Sequence, residues 1–188
     1  MYTLYLDTHC NKIIIIIYKD EEQIVHKEME CNYNHSMNTM PKLIESLKEA
    51  KIAISDINEI IVCNGPGSFT GIRIGVTIAK TLAFTLNVPI KMISSLLLKA
   101  ISFKHEEVII IEREKNGVFI AKFNEENDLI EDYKYLKNSE YKQLEDQING
   151  IDQKEIDYLK LIQYAKKIEP TNPHLVNPLY VKKIEVQK

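Results

Sequence analysis

The feature of this sequence that most limits its fold is a glycine-rich segment, NGPGSFTGIRIG, at residues 64–75. It contains four glycines, one proline and two hydroxyl side chains. An apolar run at residues 59–63 precedes it, and an apolar helical pattern at residues 72–86 follows it. Glycine allows a tight turn, and serine or threonine caps a helix N-terminus. The segment therefore predicts a buried strand, a tight turn and a helix, with Ser68 or Thr70 as the cap.

A loop of this kind is able to bind an anion, because a helix N-terminus exposes unpaired N–H groups and the positive end of the helix dipole. The known nucleotide motifs do not match, however. A P-loop needs Gly-Lys-Ser/Thr, and a dinucleotide fingerprint needs G-x-G-x-x-G. Gly65, Gly67 and Gly71 have the spacing G-x-G-x-x-x-G, and Ser68 does not form a G-x-S-x-G elbow. These three glycines and Asp7 are the residues that we consider for cofactor binding, and the local pattern favours a structural turn.

The first half of the chain predicts a unit of order βββαβα followed by a short strand and a helix. The short polar connections between the first three strands favour antiparallel pairing. Pro41 is expected in the first turn of its helix, and Ser94 or Ser95 is expected to cap the last helix. The predicted elements are strands at 2–8, 13–18 and 24–30, a helix at 36–51, a strand at 59–63, a helix at 72–86, a strand at 90–93 and a helix at 95–103.

The second half repeats the pattern in a shorter form. Asn116-Gly117 predicts a hairpin with a type I′ turn, since that turn needs two residues with positive φ. The tail after Pro170 is too rich in proline to be helical and is expected to pack back in an extended form. The chain is thus an α/β protein with two related lobes, at 1–103 and 104–188, and the second lobe is reduced. The predicted elements are strands at 108–113, 118–124 and 129–136 and helices at 139–148 and 153–168.

The helix at 72–86 is apolar over an unusually wide arc. At 100° per residue its apolar side chains cover roughly 200°, about twice the stripe of a surface helix. Small residues recur at Gly71, Gly75, Ala79 and Ala83, a ridge on which another helix is able to lie. A neighbour within the chain, such as the helix at 36–51, would also cover the excess, but we favour a protein interface. The predicted interface consists of Ile72, Gly75, Val76, Ala79, Leu82, Ala83 and Leu86, with Met40 and Leu47.

Composition and charge limit the other possibilities. With 45% hydrophobic and 27% charged residues, the chain is expected to be globular. A net charge of −3 gives no general electrostatic reason to bind nucleic acid. The apolar run at 13–17 is too short to cross a bilayer, and the chain does not begin with a leader pattern. The cytoplasm is therefore the expected location, with no membrane partner.

The cysteines and histidines predict neither a redox site nor a metal site. Cys10, Cys31 and Cys63 are widely spaced and contain no C-x-x-C, which is typical of small buried side chains. The histidines lack H-x-x-x-H spacing, and we expect each of them in solvent. Glu112 and Glu114 lie on one side of a predicted strand and are also expected to be solvated. The histidines are His9, His26, His35, His105 and His174.

The motifs taken together resemble those of the TsaB (YeaZ) family. They are GPGSFTGIRIG after EIIVCN, LDT in the first strand, a His-Ser pair before the first helix, and NPLYV near the end. The resemblance covers most of residues 1–125 and becomes thin beyond them. It implies an actin-like (ASKHA, ribonuclease H-like) fold with duplicated βββαβα lobes. It also implies a non-catalytic subunit that dimerises with the related catalytic subunit, TsaD, which works with the ATPase TsaE to make threonylcarbamoyladenosine next to the tRNA anticodon.

A comparison with the TsaD type supports the non-catalytic role. Aligning LAFTLNVP places Ser95 and Lys99 where TsaD-like proteins carry the two metal-binding histidines, and neither is able to replace an imidazole ligand. The chain also departs from its relatives. Its second lobe is short, a D-A-R-x-G-E hairpin appears as EREKNG, and Lys182 stands where arginine is usual.

The leading hypothesis is therefore a scaffold subunit that binds and activates a TsaD-like partner. No cofactor of its own is expected, whereas ATP and a metal ion are expected in the partner subunits. A TsaE-like ATPase is a further partner, a homodimer through the same helix surface is possible, and tRNA is contacted only indirectly. The alternative is an actin-like ATPase or sugar kinase that uses Asp7 and the glycine loop. Peptidase activity lacks a recognisable nucleophile with its base.

Overall fold

The computed structural model describes residues 1–31 and 34–182, which form eight strands and five α-helices. The strands are β1 Tyr2–Asp7, β2 Lys12–Lys19, β3 Glu22–Glu30, β4 Ile57–Cys63, β5 Ile90–Ile93, β6 Val108–Glu114, β7 Gly117–Phe123 and β8 Leu129–Lys137. The helices are α1 His35–Ala50, α2 Phe69–Leu86, α3 Ser95–Ile101, α4 Asn138–Ile148 and α5 Tyr158–Ala165. Two short 3₁₀ turns lie at Ile54–Asp56 and Pro173–Leu175.

The strands form two sheets. The first sheet has the order β3-β2-β1-β4-β5, in which β1, β2 and β3 pair antiparallel while β4 is parallel to both β1 and β5. The second sheet has the order β6-β7-β8 and is antiparallel. Parallel neighbours need a crossover helix, which α1 and α2 supply. The predicted βββαβα order and the α/β class are confirmed.

The first sheet is buried on both faces, and the isoleucine run of β2 shows why. Successive side chains of a strand point to opposite faces, so a run that is apolar at every position suits a strand between two layers. Alternate residues Ile13, Ile15 and Ile17 join the core cluster that contains residues of α1 and α2. The intervening Ile14 and Ile16 join the cluster that contains residues of α3 and α5. The first sheet is thus the middle of a helix, sheet and helix arrangement.

Helix α3 also contacts the second sheet and so lies between the two sheets. Leu98 and Ile101 pack with the first sheet, whereas Leu96 and Ala100 pack with residues of β6 and β7. Ser94 caps the helix by accepting a hydrogen bond from the N–H of Leu97 at 3.0 Å. The two sheets therefore share one helix, and they meet at the end of β1.

The C-terminal part of the chain does not follow the predicted division. The predicted helix at 153–168 begins only at Tyr158, because Asp157 caps it by accepting from the N–H groups of Leu159 and Lys160. Helix α5 packs on the first sheet, and Thr171 pairs with Ile90 of the same sheet. The segment after residue 157 thus belongs by its packing to the first lobe, which corrects the predicted lobe at 104–188. Over its described residues, 171–182, the tail has no α-helix, as predicted, and contains one short turn at Pro173–Leu175.

Two local predictions were wrong. Pro41 lies inside α1, in its second turn, because the helix begins at His35. Proline has no amide proton for the carbonyl four residues earlier, but Pro41 is exposed, so water is able to reach that carbonyl. The β6–β7 hairpin is present, but its turn residues are Lys115 and Asn116, and neither has a positive φ. Gly117 instead begins β7, where a Cβ would lie 2.2 Å from the carbonyl oxygen of Leu136 on β8. Gly117 therefore allows close packing of β7 against β8 and does not form a type I′ turn.

Candidate functional site

The glycine loop is packed tightly on the turn that follows β1. The N–H of Ser68 donates to the carbonyl of His9 at 2.6 Å, and the Ser68 hydroxyl accepts from the N–H of Gly71 at 3.2 Å. A Cβ at Gly67 would lie 2.2 Å from the His9 carbonyl oxygen, and one at Gly71 would lie 2.1 Å from that of Thr8. Ser68 is therefore the helix cap. The two glycines allow the backbones to approach each other, which is a structural use of the motif.

The ridge of small residues on α2 faces the first sheet of the same chain. A Cβ at Gly75 would lie 2.3 Å from the hydroxyl oxygen of Thr8, and that hydroxyl donates to the carbonyl of Gly71 at 2.7 Å. Ala79 and Ala83 are fully buried in the core cluster of this sheet. A ridge of small side chains suits a sheet as well as it suits a helix, and here β1 and β4 use it.

This placement corrects most of the predicted partner interface. Six of its residues are buried in the chain's own core and are not available to a partner, namely Leu47, Ile72, Gly75, Val76, Ala79 and Ala83. Leu82 and Leu86 are partly buried against the same core. Met40 is 37% exposed and is the one predicted residue that the structure leaves largely on the surface.

Outside their fully buried faces, α1 and α2 carry exposed and partly buried apolar side chains that we name the docking face. It consists of Met37, Met40, Ile44, Ile74 and Ile78. On α1, the three side chains recur every three or four residues and are 73%, 37% and 48% exposed. On α2, the two isoleucines are partly buried and lie among exposed threonines. The two helices contact each other and pack on the same core cluster. Contiguous exposed apolar side chains are typical of an interaction site.

Helix α2 also has the length and apolar composition of a membrane-spanning helix. Among residues 1–31 and 34–182, it is the one helix long and apolar enough to cross a membrane by length and composition. The core helix of a soluble protein also meets these criteria, and 33% of α2 is buried inside the chain. The expected lack of a membrane partner and the cytoplasmic location stay predictions.

A buried network of charged side chains lies beside the glycine loop, at the junction of the two sheets. Asp7 ends β1, and His9 follows it in the turn. The Nδ1 atom of His9 lies 2.7 Å from Oδ1 of Asp7, and its Nε2 atom lies 2.9 Å from Oε1 of Glu112 on β6. The backbone N–H of His9 and the hydroxyl of Tyr5 donate to Asp7 at 2.9 and 2.8 Å. We name the set of Asp7, His9 and Glu112 the interlobe bridge.

The charges of the interlobe bridge stabilise one another. Burial by itself would raise the pKa of the Asp7 carboxyl, but the charge and hydrogen bonds of His9 outweigh burial and lower it. The pKa of Glu112 is lowered in the same way, against burial, by His9 and then by Lys99. Burial by itself would lower the pKa of His9, but Asp7 and Glu112 together raise it well above the ordinary value. The bridge is thus an imidazolium between two carboxylates.

The sequence analysis missed this network. We expected His9 and Glu112 in solvent, whereas both are largely buried. His35 is also buried, where its Nε2 lies 2.9 Å from the carbonyl oxygen of Cys10. Glu114 is partly buried and bonds to Lys182. One signal could have indicated the bridge: Asp7 and Glu112 both lie within the last three residues of the first strand of a lobe, and duplicated lobes bring these strand ends together.

The atoms of Asp7, His9 and Cys63 also form the one three-residue group with metal-ligand potential among the described residues, within 4.8 Å of one another. Both ring nitrogens of His9 are already bonded to carboxylates. Burial, ahead of the charge of Asp7, raises the pKa of the Cys63 thiol to about 12, so the thiol stays protonated. This chemistry favours an ion network over a metal centre. Cys31 and Cys63 are buried free thiols, as predicted, while Cys10 is partly exposed.

The two residues aligned with metal-binding histidines have structural partners. Ser95 is buried, and its hydroxyl donates to the carbonyl of Pro66 at 2.8 Å. The Nζ atom of Lys99 donates to Asp152 at 3.1 Å and lies 3.4 Å from the carbonyl oxygen of Ile111. A lysine ammonium would repel a cation at this position.

A cleft of about 1050 Å³ lies between the glycine loop and the second sheet. Two of the departures from the family pattern, the EREKNG hairpin and Lys182, meet in it. Lys182 donates to Glu114 at 2.8 Å, and the Tyr135 hydroxyl donates to the same carboxylate at 2.7 Å. The tail covers the start of α2, where Arg73 stacks on Phe69 with its guanidinium carbon 3.9 Å from the ring centre. The tail thus forms one wall of the cleft.

Comparisons with known proteins identify the family. Residues 23–147 match a family model described as TsaD: tRNA N6-adenosine threonylcarbamoyltransferase. The tRNA threonylcarbamoyladenosine biosynthesis protein TsaB of Bacillus subtilis (strain 168) is 34% identical over 134 residues, which cover 70% of this chain and 58% of that protein. TsaB of Buchnera aphidicola subsp. Schizaphis graminum is 30% identical over 133 residues, 68% of this chain and 62% of that protein. The matches thus span about three fifths of these relatives.

Solved structures give the fold. YeaZ from Pseudomonas aeruginosa superposes with a TM-score of 0.76 at 21% identity and covers 95% of this chain and 99% of that chain. The activator of 2-hydroxyisocaproyl-CoA dehydratase from Clostridium difficile, with bound ADPNP, superposes with a TM-score of 0.50 at 17% identity and covers 73% of this chain and 46% of that chain. The actin-like fold predicted from the motifs is confirmed. On the family match and these relatives, the chain belongs to the TsaB (YeaZ) family of TsaD-related proteins.

Proposed function

We propose that this protein is a TsaB-type subunit in the formation of threonylcarbamoyladenosine in tRNA, and that it binds and activates a TsaD-like catalytic subunit without catalysing a step itself. The observation that carries the proposal is the docking face on α1 and α2. Membership of the TsaB family supports the pathway, and the relatives' printed names describe proteins of that pathway.

The docking face has the chemistry of an interface core. Its five side chains are methionine and isoleucine, and its α2 half is surrounded by threonines rather than charged residues. Arg73 and Lys80, the two charged residues of α2, both bond to the tail instead, at Tyr180 and at the carbonyl of Val176. Burying a methionine or isoleucine fully contributes about 1.5–3 kcal/mol relative to leaving it exposed. The side chains of the docking face are already partly buried, so each would contribute less than this on binding, and several of them would have to act together.

The proposed role needs no cofactor in this chain. Asp7, which would serve a nucleotide in the actin-like alternative, bonds to His9 and Tyr5. The glycine loop packs on the chain's own backbone at Thr8 and His9. We propose that ATP and a metal ion belong to the partner subunits, including a TsaE-like ATPase. The net charge of −3 favours indirect contact with tRNA, and a homodimer would use the same docking face.

Charged substitutions on the docking face test the proposal. We expect Ile44→Glu and Ile78→Glu each to weaken binding of a TsaD-like partner at least about 30-fold, since a carboxylate would be buried against apolar side chains without a counter-charge. Isothermal titration calorimetry with purified subunits measures the affinity. Leu144→Glu is the matched control, because Leu144 is a 37% exposed leucine on α4, outside the docking face.

Thermal unfolding of each variant separates lost binding from lost folding. Folded variants that bind the partner as tightly as the wild type would contradict the docking face. Depletion of the protein followed by mass spectrometry of tRNA nucleosides tests the pathway, with loss of threonylcarbamoyladenosine expected. An unchanged level of this nucleoside would contradict the proposed function.

The actin-like ATPase or sugar kinase alternative predicts a different result with nucleotide. We expect no saturable binding of ADP and Mg²⁺ to the isolated chain below about millimolar concentration, because His9 already occupies the position between Asp7 and Glu112. Calorimetry of the isolated chain measures this binding. A micromolar dissociation constant would favour the ATPase or kinase alternative over the scaffold role.

A further inference from the structure

His9 lies between the two sheets and bonds to a carboxylate of each. Asp7 belongs to β1 of the first sheet and Glu112 to β6 of the second, and the two positions are 105 residues apart in the chain. We propose that the His9 imidazolium joins the two lobes through the interlobe bridge, and that loss of its proton loosens the second sheet from the first. The proposal concerns the isolated chain and does not rest on the proposed function.

The hydrogen-bond geometry requires the doubly protonated ring. A carboxylate only accepts hydrogen bonds, and a neutral imidazole has one N–H donor. His9 presents one ring nitrogen to each carboxylate, at 2.7 and 2.9 Å. A neutral ring would therefore turn a nitrogen lone pair toward Asp7 or Glu112, and one of the two bonds would be lost. The bridge exists in full only while His9 is an imidazolium.

Glu112 depends on this bond more than Asp7 does. Asp7 also accepts from the Tyr5 hydroxyl and from the backbone N–H of His9. The second oxygen of Glu112 is buried and has no hydrogen-bond partner among the described residues, because the neighbouring Ser95 hydroxyl donates to Pro66. A buried carboxylate that loses its counter-charge is costly. Loss of the imidazolium charge would thus weaken the contact that holds the second sheet, which carries Glu112, to the first sheet.

The other titratable groups around His9 do not change charge near neutral pH. They are the thiols of Cys10 and Cys63 and the phenols of Tyr5 and Tyr158, and burial is the first cause that raises the pKa of each. Lys99 on α3 acts on Glu112 as a cation and is paired with Asp152. His9, whose pKa is raised from its ordinary value by Asp7 and Glu112, is therefore the member of this cluster that loses a positive charge as pH rises above neutral.

The sign of the pH dependence follows from the direction of each shift. The pKa of His9 is raised in the folded chain, so its stabilisation is complete below the unfolded value of about 6.5 and is lost as pH rises through the folded pKa. The pKa values of Asp7 and Glu112 are lowered, so their contributions are complete above about pH 4 to 5 and are lost as pH falls. The bridge is strongest between about pH 5 and 6.5.

Urea unfolding at a series of pH values tests the charge of His9. For the wild type, we expect the unfolding constant to rise by up to about tenfold per pH unit above pH 6.5, because the folded state holds one more proton than the unfolded state. His9→Gln should remove this dependence. His26→Gln is the matched control, because His26 also contacts a carboxylate, Glu28, but within the first sheet and near the surface. The control should keep the wild-type slope.

Hydrogen exchange at pH 6.5 tests the link between the sheets. We expect His9→Gln to speed amide exchange in β6 and β7 at least about tenfold, with little change in β2 and β3. Glu112→Gln keeps the pair of His9 and Asp7 and should have the same localised effect, which covers the case that His9→Gln does not fold. An equal increase in both sheets, an unchanged pH slope in His9→Gln, or ¹⁵N shifts of a neutral His9 ring at pH 7 would overturn the proposal.

Discussion

Replacing Ala79 by glutamate is expected to destabilise the protein strongly. Ala79 has no exposed surface and lies in the core between α2 and the first sheet. A carboxylate placed there has no counter-charge and also needs more space than the site offers, so the expected loss is about 4 kcal/mol or more. Whole domains are stable by only about 5–15 kcal/mol. Urea denaturation followed by circular dichroism measures the loss.

Thr81→Glu is the matched control for this prediction. Thr81 lies two residues further along α2 and is exposed. The same charge on the outer face should change the free energy of unfolding by no more than about 0.5 kcal/mol. If Ala79→Glu is as stable as Thr81→Glu, the packing of α2 on the first sheet is wrong. The comparison also matters for binding assays, since a variant at Ala79 that unfolds would lose a partner for that reason alone.

A double-mutant cycle between Gly75 and Thr8 is expected to show strong coupling. Gly75→Ala places a Cβ 2.3 Å from the Thr8 hydroxyl, which must then leave its bond to the carbonyl of Gly71. We expect a net loss of about 2 kcal/mol, despite the gain of about 1 kcal/mol for alanine over glycine inside a helix. Thr8→Ala alone should cost about 1 kcal/mol for the lost hydrogen bond. Together they should cost less than the sum by at least about 1 kcal/mol.

Gly71→Ala provides the control for the cycle. Its Cβ would lie 2.1 Å from the backbone carbonyl oxygen of Thr8, and Thr8→Ala does not remove that atom. The pair Gly71→Ala and Thr8→Ala should therefore lack this relief. Free energies of unfolding from urea titrations measure both cycles. A cycle at Gly75 with no more coupling than the cycle at Gly71 would contradict the contact with the hydroxyl.

The strands and most helices followed from local patterns. The run KIIIIIYK has no good helical periodicity and is rich in β-branched residues, which predicted β2 within one residue at each end. The start of α5 was not predicted from the local pattern, because apolar residues also occur before the cap at Asp157. Just before the predicted start at residue 153, the backbone pairs with a distant strand, since Ile151 bonds to Ile109 and Ile111. Such pairing over 40 residues leaves no local signal.

The sequence indicated which small and apolar residues of α2 are important, but not which neighbour these residues face. The small residues and wide apolar arc of α2 were correctly identified, yet the ridge at Gly75 and Ala79 fits a sheet or a helix equally well. Only the position of Thr8 decides that the sheet uses it. The interlobe bridge was missed for a related reason. His9 and Glu112 are 103 residues apart, and a single histidine near a strand end has no pattern of its own.

The return of the C-terminal segment to the first sheet affects how the chain is able to fold. Helix α5 covers the face of the sheet that carries Tyr5, Ile16 and Tyr18, and Val176 completes the opposite core. A fragment that stopped at residue 103 would expose that apolar face to water and would tend to aggregate. During synthesis the N-terminal strands must likewise wait for residues that the ribosome adds more than 130 positions after the end of β2. Such long sequence separations predict slow folding for the first lobe.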